Sequence, residues 1–223
     1  MALVEDEPLY RGLLENFLAR QERFEVVGAY ADGVSALEAV PTLQPDVVTL
    51  DIELPGRLDG IQVGLELRRQ LAALGIVVLS NHADPRFLGA LPREQLSGWS
   101  YLLKKSVGNI ETLTRAIEGA ASGVVMVDPA VVANLRPRVG SALARLTPRQ
   151  REILELLAQG LTNAAIAERL VLAEKSVENQ LTAIYAELAI DRRSDALHPR
   201  VAAVLVYLHD SRIGRSSASS GGV

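Results

Sequence analysis

Apolar and polar positions alternate in a regular way along the first half of the chain. Short apolar runs are typical of five buried strands, at Ala2 to Val4, Glu25 to Ala29, Val47 to Leu50, Ile76 to Leu79 and Trp99 to Leu103. Apolar residues at helical spacing predict helices, most clearly at Leu9 to Arg20, Val34 to Val40, Ile61 to Leu74 and Ile110 to Ala121. This alternation predicts an α/β fold with a five-stranded, doubly wound parallel sheet.

Polar residues end four of these apolar runs, and they are Glu5 with Asp6, Asp51, Ser80 and Lys104. Because the carboxyl ends of the strands in such a sheet face one crevice, we expect these side chains to share a pocket. Clustered carboxylates favour a hard divalent cation, a lysine supplies a point charge for a phosphate, and a serine hydroxyl supplies a hydrogen bond. Asp51 is then the expected nucleophile, which would form an aspartyl phosphate.

These signals, in this order, resemble the receiver domain of two-component response regulators, and the resemblance covers residues 1–127. It implies a flavodoxin-like sheet with the strand order 2-1-3-4-5. It also implies that a sensor histidine kinase phosphorylates Asp51. Beyond self-phosphorylation and autodephosphorylation at Asp51, the resemblance implies no enzyme activity.

The same resemblance assigns roles to the other polar residues of the site. The implied cofactor is Mg²⁺, and its implied ligands, one of them a backbone carbonyl, are Glu5, Asp6, Asp51 and Glu53. Ser80 and Lys104 are the implied sensors of the phosphoryl group. Tyr101, three residues before the lysine, matches the aromatic residue whose rotamer follows phosphorylation.

Taken one at a time, these signals have simpler explanations. Glu5 and Asp6 fit a solvated acidic turn that opens a helix, where carboxylates suit the helix dipole. Ser80 fits a turn, and Lys104 fits an exposed surface, with Lys105 beside it as a second candidate lysine. A long ordered pattern is a more dependable signal than a single residue, so we favour the phosphoacceptor interpretation and assign Lys104 by register.

The amino-acid composition of the chain changes after residue 127. Pro129, Pro137 and Gly140 interrupt a segment rich in arginine, so residues 128–145 are predicted to form a linker with a short helix near Ala130. Residues 146–210 are predicted to form a small all-α domain. The tail, residues 211–223, is poor in apolar residues and is predicted to be disordered.

The all-α domain begins with a well-marked helix. Thr147 can act as its N-cap, Gln150 completes a capping box, and Gly160 ends the segment. Thr162 can cap a second helix, and residues 171–173 form a tight turn before a third. This arrangement predicts a helix-turn-helix.

This domain resembles the LuxR/NarL-type DNA-binding domain, and the residues that match are Leu146, Thr147, Arg149, Glu152, Leu156, Gly160, Asn163, Ile166, Ala167, Leu170, Lys175, Ser176, Val177, Asn179 and Leu188. The resemblance implies that helix 174–188 lies in the major groove and that a final helix over 201–208 supports dimerisation. An active homodimer is then expected on a pseudo-palindromic stretch of promoter DNA. The expected DNA-contacting residues are Lys175, Ser176, Glu178, Asn179, Thr182, Arg192 and Arg193.

The sequence departs from both families at several positions. Ala173 replaces the usual polar N-cap, which costs about 0.5 to 2 kcal/mol of helix stability. Glu178 stands where a basic residue is frequent, and it either accepts from a cytosine amino group or repels phosphate. In the receiver, the loop PGRLDG is one residue longer than usual and Pro92 interrupts a predicted helix. Trp99 replaces a small residue, as a partner contact or a buried aromatic.

Composition narrows the functional classes. A net charge of −4 is not that of a nonspecific nucleic-acid binder, so local placement of charge must carry DNA binding. The chain has no cysteine, which excludes disulfides and thiol catalysis, and His82, His198 and His209 lack metal-site spacing. No apolar stretch approaches the roughly 18 residues that span a bilayer, and no signal peptide is evident. We therefore expect a cytoplasmic protein without a membrane partner.

The sequence predicts a two-component response regulator that binds DNA and regulates transcription. One alternative keeps this architecture but replaces phosphorylation with control by a bound partner or ligand. Another is an aspartyl-nucleophile phosphohydrolase, which usually needs a second aspartate two residues after Asp51, where the chain has Glu53. A third alternative is a phosphorelay or interaction module that never binds DNA.

Overall fold

A computed structural model describes residues 1–82, 96–191 and 197–213 of the chain. The chain forms two compact units, one made of Met1–Asp128 with Ala158–Gly160 and the other of Pro129–Leu157 with Leu161–Val223. Within the described ranges, every helix is too short or too polar to cross a membrane.

The first unit alternates strands and helices as predicted. Its strands are β1 (Ala2–Val4), β2 (Gly28–Tyr30), β3 (Val47–Asp51), β4 (Gly75–Ser80), β5 (Trp99–Leu103) and β6 (Met126–Val127). Its described helices are α1 (Pro8–Ala19), α2 (Gly33–Leu43), α3 (Gly60–Gln70) and α4 (Ile110–Ala121). All strands are parallel, in the order β2-β1-β3-β4-β5-β6, which confirms the expected order of the first five.

Helices cover both faces of this sheet. On one face, α1 and α4 bury Leu14, Leu18 and Leu113 against strand residues such as Val77 and Leu102. On the other face, α2 and α3 pack against each other and against the neighbouring strands. Every residue of β3, β4 and β5 is buried, which explains why these strands are continuous apolar runs rather than alternating ones.

The sheet differs from the prediction in two places. A sixth strand, β6, pairs with Ser100 and Tyr101 of β5, but its two residues are too few to show a periodicity in the sequence. Strand β2 begins at Gly28 rather than Glu25, where the regular register with Ala2 of β1 starts, although Met1 also bonds through its backbone to Glu25 and Val27.

Small residues make room for two unusual features of the first unit. A side chain at Gly60 would lie 1.9 Å from the carbonyl oxygen of Asp51, so glycine is required where α3 starts beside the site. Trp99 is fully buried, and its ring approaches Gly64 of α3. Trp99 is therefore the buried aromatic of the two expected possibilities and is not a surface contact, while Pro92 lies outside the described residues.

The second unit contains five α-helices, a short 3-10 helix (Ala142–Arg145) and two strands within the described residues. The helices are α5 (Pro129–Val132), α6 (Pro148–Ala158), α7 (Asn163–Leu170), α8 (Glu174–Glu187) and α9 (Pro199–His209). The strands are β7 (Leu135–Pro137) and β8 (Ser211–Ile213), which pair in antiparallel fashion.

The predicted capping residues of the second unit act as expected. The Thr147 backbone N–H donates to Gln150 Oε1 at 2.9 Å, and the Gln150 N–H donates to Thr147 Oγ1 at 3.2 Å, which completes the capping box of α6. Thr162 Oγ1 accepts from the Ala165 N–H at 3.2 Å at the start of α7. Ala173 makes no side-chain cap on α8, so this helix starts without that stabilisation.

The strand pair β7–β8 was not expected from the sequence. The second unit is helical, as predicted, apart from this pair, and residues 128–145 contain the predicted short helix as α5 and contribute β7 as well. The predicted disordered tail begins with β8, since residues 211–213 find backbone partners in a strand that is distant in sequence. Residues 214–223 lie outside the described part of the chain.

The turn between α7 and α8 carries a conformationally strained valine. Val171 has φ 53° and ψ 51°, and it is 91 % exposed. A β-branched side chain disfavours this left-handed conformation, which asparagine adopts readily. Val171→Asn is therefore expected to stabilise the second unit by about 1 kcal/mol, measured by urea unfolding followed with far-ultraviolet circular dichroism.

Val139→Asn is the matched control for this prediction. Val139 is 93 % exposed, and it is absent from the three described non-glycine residues with positive φ. It should change stability by no more than about 0.5 kcal/mol. Equal stabilisation at both positions would mean that a polar side chain at an exposed position causes the effect, and that the backbone conformation of Val171 does not.

Candidate functional site

The strand ends of the first unit bring the predicted polar residues to one edge of the sheet. Asp51 and Ser80 are the last residues of β3 and β4. Glu5 follows β1, and Lys104 follows β5 in a short 3-10 helix, Lys104–Ser106. The parallel register of the sheet places these ends side by side.

Lys104 bridges two buried carboxylates. Its Nζ donates to Glu5 Oε1 at 2.7 Å and to Asp51 Oδ2 at 2.9 Å. Glu5 and Asp51 are each only 1 % exposed. Lys104 is thus the lysine that reaches the site, while Lys105 is exposed.

Backbone amides complete the contacts of the carboxylates. The Glu53 N–H donates to Asp51 Oδ1 at 3.1 Å, so both oxygens of Asp51 have a partner. The Glu7 N–H donates to Glu5 Oε1 at 3.3 Å. In contrast, Glu5 Oε2 is buried and has no hydrogen-bond partner. A buried oxygen without a partner costs free energy, which makes it a candidate ligand atom.

The electrostatics of the cluster follow from burial and close charges. Burial raises the pKa of Glu5, with a contribution from the nearby Asp51, although the hydrogen bond from Lys104 acts in the opposite direction. For Lys104, burial alone would lower the pKa, but the hydrogen bonds to Asp51 and Glu5 together outweigh it and raise the pKa. The lysine therefore remains charged.

The acidic residues are grouped closely enough to hold a metal ion. Carboxylate oxygens of Glu5, Asp6 and Asp51 all lie within 4.8 Å of one another, and Asp6 is exposed to solvent. Oxygen ligands of this kind, with an open side for water, suit Mg²⁺. The Glu53 side chain is exposed and points to Asn81, whose Nδ2 donates to Glu53 Oε2 at 3.5 Å.

Ser80 and Tyr101 share one hydrogen-bond acceptor. Ser80 Oγ donates to the carbonyl oxygen of His82 at 2.8 Å, and Tyr101 Oη donates to the same oxygen at 2.5 Å. The His82 N–H in turn donates to Ser80 Oγ at 3.2 Å. Both hydroxyl residues are buried. The two residues that were predicted separately therefore meet at the backbone of His82.

Tyr10 belongs to the site but was not predicted from the sequence. Its ring centroid lies 4.9 Å from Lys104 Nζ, and its Oη donates to the carbonyl oxygen of Lys104 at 3.4 Å. Burial, together with the negative charges of Glu5 and Asp51, raises the pKa of Tyr10, so the phenol stays neutral. Nothing in the sequence distinguishes this tyrosine from other aromatic residues on the buried face of an amphipathic helix.

The predicted DNA-contacting residues of α8 lie on one exposed side of the helix, and they are Lys175, Ser176, Glu178, Asn179 and Thr182. All except Ser176 line a shallow cleft of about 280 Å³, together with Asn163 and Tyr185. Lys175 Nζ pairs with Glu178 Oε2 at 2.7 Å, and Thr182 Oγ1 donates to the Glu178 carbonyl oxygen at 3.0 Å. The predicted contacts Arg192 and Arg193 lie outside the described residues.

Asn163, which lines the same cleft as the predicted contacts on α8, is held by a side chain of another helix. Arg200 Nη1 donates to Asn163 Oδ1 at 3.0 Å, and Arg200 also donates to the Leu161 carbonyl oxygen. Burial lowers the pKa of the Arg200 guanidinium, which nevertheless stays far above neutral pH as arginine does in proteins. Helix α9 thus fixes the start of α7 beside the exposed side of α8.

Comparisons with known proteins agree with this two-unit organisation. The receiver domain family of response regulators matches residues 1–118, and the luxR family of bacterial regulatory proteins matches residues 144–199. The DNA-binding transcriptional activator DevR/DosR of Mycobacterium tuberculosis is 32 % identical over 201 residues, which are 87 % of this chain and 90 % of that protein. The nitrate/nitrite response regulator NarL of Escherichia coli is 30 % identical over 220 residues, or 95 % of each chain.

Solved structures share the same fold. The RcsB response regulator of Salmonella typhimurium matches with a TM-score of 0.50 at 25 % identity, covering 93 % of this chain and 97 % of that one. An RcsB–DNA complex matches with a TM-score of 0.52 at 24 % identity, covering 94 % and 96 %. This chain belongs to the response regulators that join a receiver domain to a LuxR-type DNA-binding domain. It is a transcription regulator of the class that phosphorylation switches.

The raised pKa of Glu5 predicts a pH-dependent effect of its removal. A raised pKa favours folding below the pKa of the unfolded chain, and that contribution is lost as the pH rises through the folded pKa. Without divalent cations, Glu5→Gln is therefore expected to melt a few degrees above the wild type at pH 7. The difference in melting temperature between the variant and the wild type should vanish as the pH falls to about 4.3. Thermal unfolding at each pH measures this difference.

Glu38→Gln is the control, because Glu38 is an exposed carboxylate in the middle of α2. Its melting temperature should follow the wild type at every pH. Destabilisation by Glu5→Gln that is equal at pH 7 and pH 4 would mean that lost packing, and not buried charge, governs this position.

Proposed function

We propose that Asp51 is the phosphoacceptor of this regulator and that a sensor histidine kinase is the phosphoryl donor. The observation that carries this proposal is the pairing of buried Asp51 with Lys104 at 2.9 Å, beside the further carboxylate Glu5. Hydrogen bonds to both oxygens hold this carboxylate in one orientation, as a nucleophile requires.

In the proposed step, a carboxylate oxygen of Asp51 attacks phosphorus and forms a new O–P bond. The bond between phosphorus and the imidazole nitrogen of the kinase breaks, and the leaving imidazole takes up a proton. Lys104 and the backbone N–H of Glu53 would stabilise the added negative charge. Hydrolysis of the acyl phosphate by water would return Asp51 to its carboxylate, which is the expected autodephosphorylation.

Mg²⁺ is the proposed cofactor of this step. Glu5, Asp6 and Asp51 would hold the ion with a backbone carbonyl from Glu53, and the unpartnered Glu5 Oε2 supports this assignment. When bound, Mg²⁺ would neutralise charge on the transferring phosphoryl group. The exposure of Asp6 leaves the site open toward solvent, from which a donor can approach.

Ser80 and Tyr101 are proposed to report the phosphoryl group. A phosphoryl oxygen would compete with the His82 carbonyl oxygen for the Ser80 hydroxyl, which has one proton to donate. Tyr101 also donates to the His82 carbonyl oxygen, at 2.5 Å. If the Ser80 hydroxyl turned to the phosphoryl group, Tyr101 would be the one of these two side chains that still donates to that oxygen. Such an exchange of partners provides two distinct arrangements for the strand end.

The second unit is proposed to bind promoter DNA as a homodimer through α8. Five exposed polar residues along one side of this helix support that role. Asn163, held by Arg200, would extend the contact surface to the start of α7. DevR/DosR, a relative over most of the chain, is a DNA-binding transcriptional activator, which supports the same activity here.

Phosphorylation can be tested with acetyl phosphate and Mg²⁺ on the full chain. Intact-mass analysis of the wild type should detect one acid-labile phosphoryl group, and Asp51→Asn should show none because the amide is not a nucleophile. Removal of Mg²⁺ with a chelator should abolish most of the adduct. DNA binding or molecular size should change with the adduct in the wild type only.

The outcomes of this test separate the alternatives. An adduct on Asp51→Asn would place the phosphoacceptor elsewhere. The absence of any adduct, with DNA binding retained, would support a regulator controlled by a partner or ligand. Rapid release of phosphate from acetyl phosphate without a DNA-binding response would favour a hydrolase or a phosphorelay module.

The ion pair on α8 gives a separate prediction for DNA binding. Lys175→Ala is expected to weaken binding to all duplexes and to lower the salt dependence by about one phosphate contact. Glu178→Gln should strengthen binding, because it removes a negative charge and frees Lys175 from its 2.7 Å ion pair. Fluorescence anisotropy at several salt concentrations measures both changes, with the upstream region of the gene and a random duplex as probes.

Lys105→Ala is the matched control, since Lys105 is an exposed lysine in the first unit. It should leave DNA affinity within about twofold of the wild type. If Lys175→Ala and Glu178→Gln change the free energy of unfolding by similar amounts and leave DNA affinity unchanged, the ion pair stabilises α8 and does not contact DNA.

A further inference from the structure

Asp128 is a buried carboxylate that the proposed chemistry does not use. Its exposure is 0 %, and it follows directly after β6 as the last residue of the continuous segment Met1–Asp128 of the first unit. An ionisable side chain is seldom buried completely unless it has polar partners.

Asp128 forms hydrogen bonds with the end of β5 through both its backbone and its side chain. Its backbone N–H donates to the Tyr101 carbonyl oxygen at 2.7 Å. Its Oδ2 accepts from the Leu103 N–H at 3.0 Å. Hydrogen bonds to a carboxylate are about twice as strong as those between neutral groups. Asp128 thus spans the segment from Tyr101 to Leu103.

The segment from Tyr101 to Leu103, which Asp128 binds, carries or adjoins the groups that are proposed to respond to phosphorylation. Tyr101 supplies the hydroxyl on the His82 carbonyl oxygen, and Lys104, which contacts Asp51, follows Leu103 directly. A change in the partners of Lys104 acts on the backbone at residue 104. The Leu103 N–H, one residue before it, is the nearest backbone donor bound by Asp128.

The chain continues from Asp128 into the second unit without a spacer. Pro129 is the first residue of α5 and of the second unit, and its ring fixes its φ angle. Val131 and Val132 of α5 are buried, and β7 follows after only two residues. Asp128 is therefore joined directly, through a proline of fixed φ, to the first helix of the second unit.

We propose that Asp128 is a positioning residue that couples the phosphorylation state of Asp51 to the second unit. This inference rests on the proposed function of Asp51. A packed strand end has discrete arrangements, so a small shift of Lys104 changes the bond between Leu103 and Asp128. The competing explanation is that Asp128 only closes the end of β6. Both explanations predict lost stability when Asp128 is replaced, but only coupling predicts a lost response.

The experiment measures amide hydrogen exchange in the full chain before and after treatment with acetyl phosphate and Mg²⁺. The variants are Asp128→Ala, which removes the acceptor, and Asp128→Asn, which keeps an acceptor oxygen without the charge. Asp32→Ala is the control, because Asp32 also accepts a backbone N–H, from Ser35 at 2.9 Å, but only caps α2. The adduct fraction is measured by intact mass in every sample.

In the wild type, phosphorylation is expected to change exchange in peptides covering Pro129–Pro137. Asp128→Ala should reach an adduct level within about twofold of the wild type, while the change in these peptides falls at least threefold. Asp32→Ala should respond like the wild type despite its lost cap.

Each other outcome has a definite meaning. A wild-type response in Asp128→Ala, or no response in the phosphorylated wild type, overturns the coupling role. If Asp128→Ala fails to fold, Asp128→Asn decides the matter, since its weaker bond should reduce the response about twofold and an undiminished response overturns the proposal. No adduct on the wild type refutes the proposed function of Asp51 itself, which keeps the two failures distinct.

Discussion

The ammonium group of Lys104 is the counter-charge on which the whole edge of the sheet depends. Two carboxylates, Glu5 and Asp51, are buried there, and ionised groups of like charge are costly to bury together. One lysine within 2.9 Å of both removes most of that cost, while Tyr10 supports the lysine from below. Glu5 Oε2 still lacks a partner, and a divalent cation can supply one.

The same strand end connects this charge cluster to the rest of the chain. Residues of β5 contact the His82 carbonyl oxygen through Tyr101, Asp51 through the following Lys104, and Asp128 through Leu103. This short segment thus leads into the lysine that contacts Asp51 and carries the backbone N–H that donates to Asp128 at the end of β6.

The DNA-binding unit solves a different electrostatic problem. The chain as a whole carries a net charge of −4, and Glu178 neutralises Lys175 on the exposed side of α8. Binding to a polyanion then depends on where individual charges lie and on which of them are freed at the interface. Helix α9 contributes by holding Asn163 through Arg200, and strand β8 ties the end of that unit to β7.

The sequence by itself determined the alternation of strands and helices, the helix caps at Thr147 and Thr162, and the grouping of polar residues at strand ends, whereas the order of the strands was implied by the resemblance to receiver domains. These features depend on local periodicity and on the geometry of parallel sheets, which residue patterns record directly. Only the tertiary structure decided the short strands β6, β7 and β8, and the roles of Tyr10 and Asp128. Their partners are distant in sequence, and a short pairing or a buried contact leaves no periodic signal in the chain.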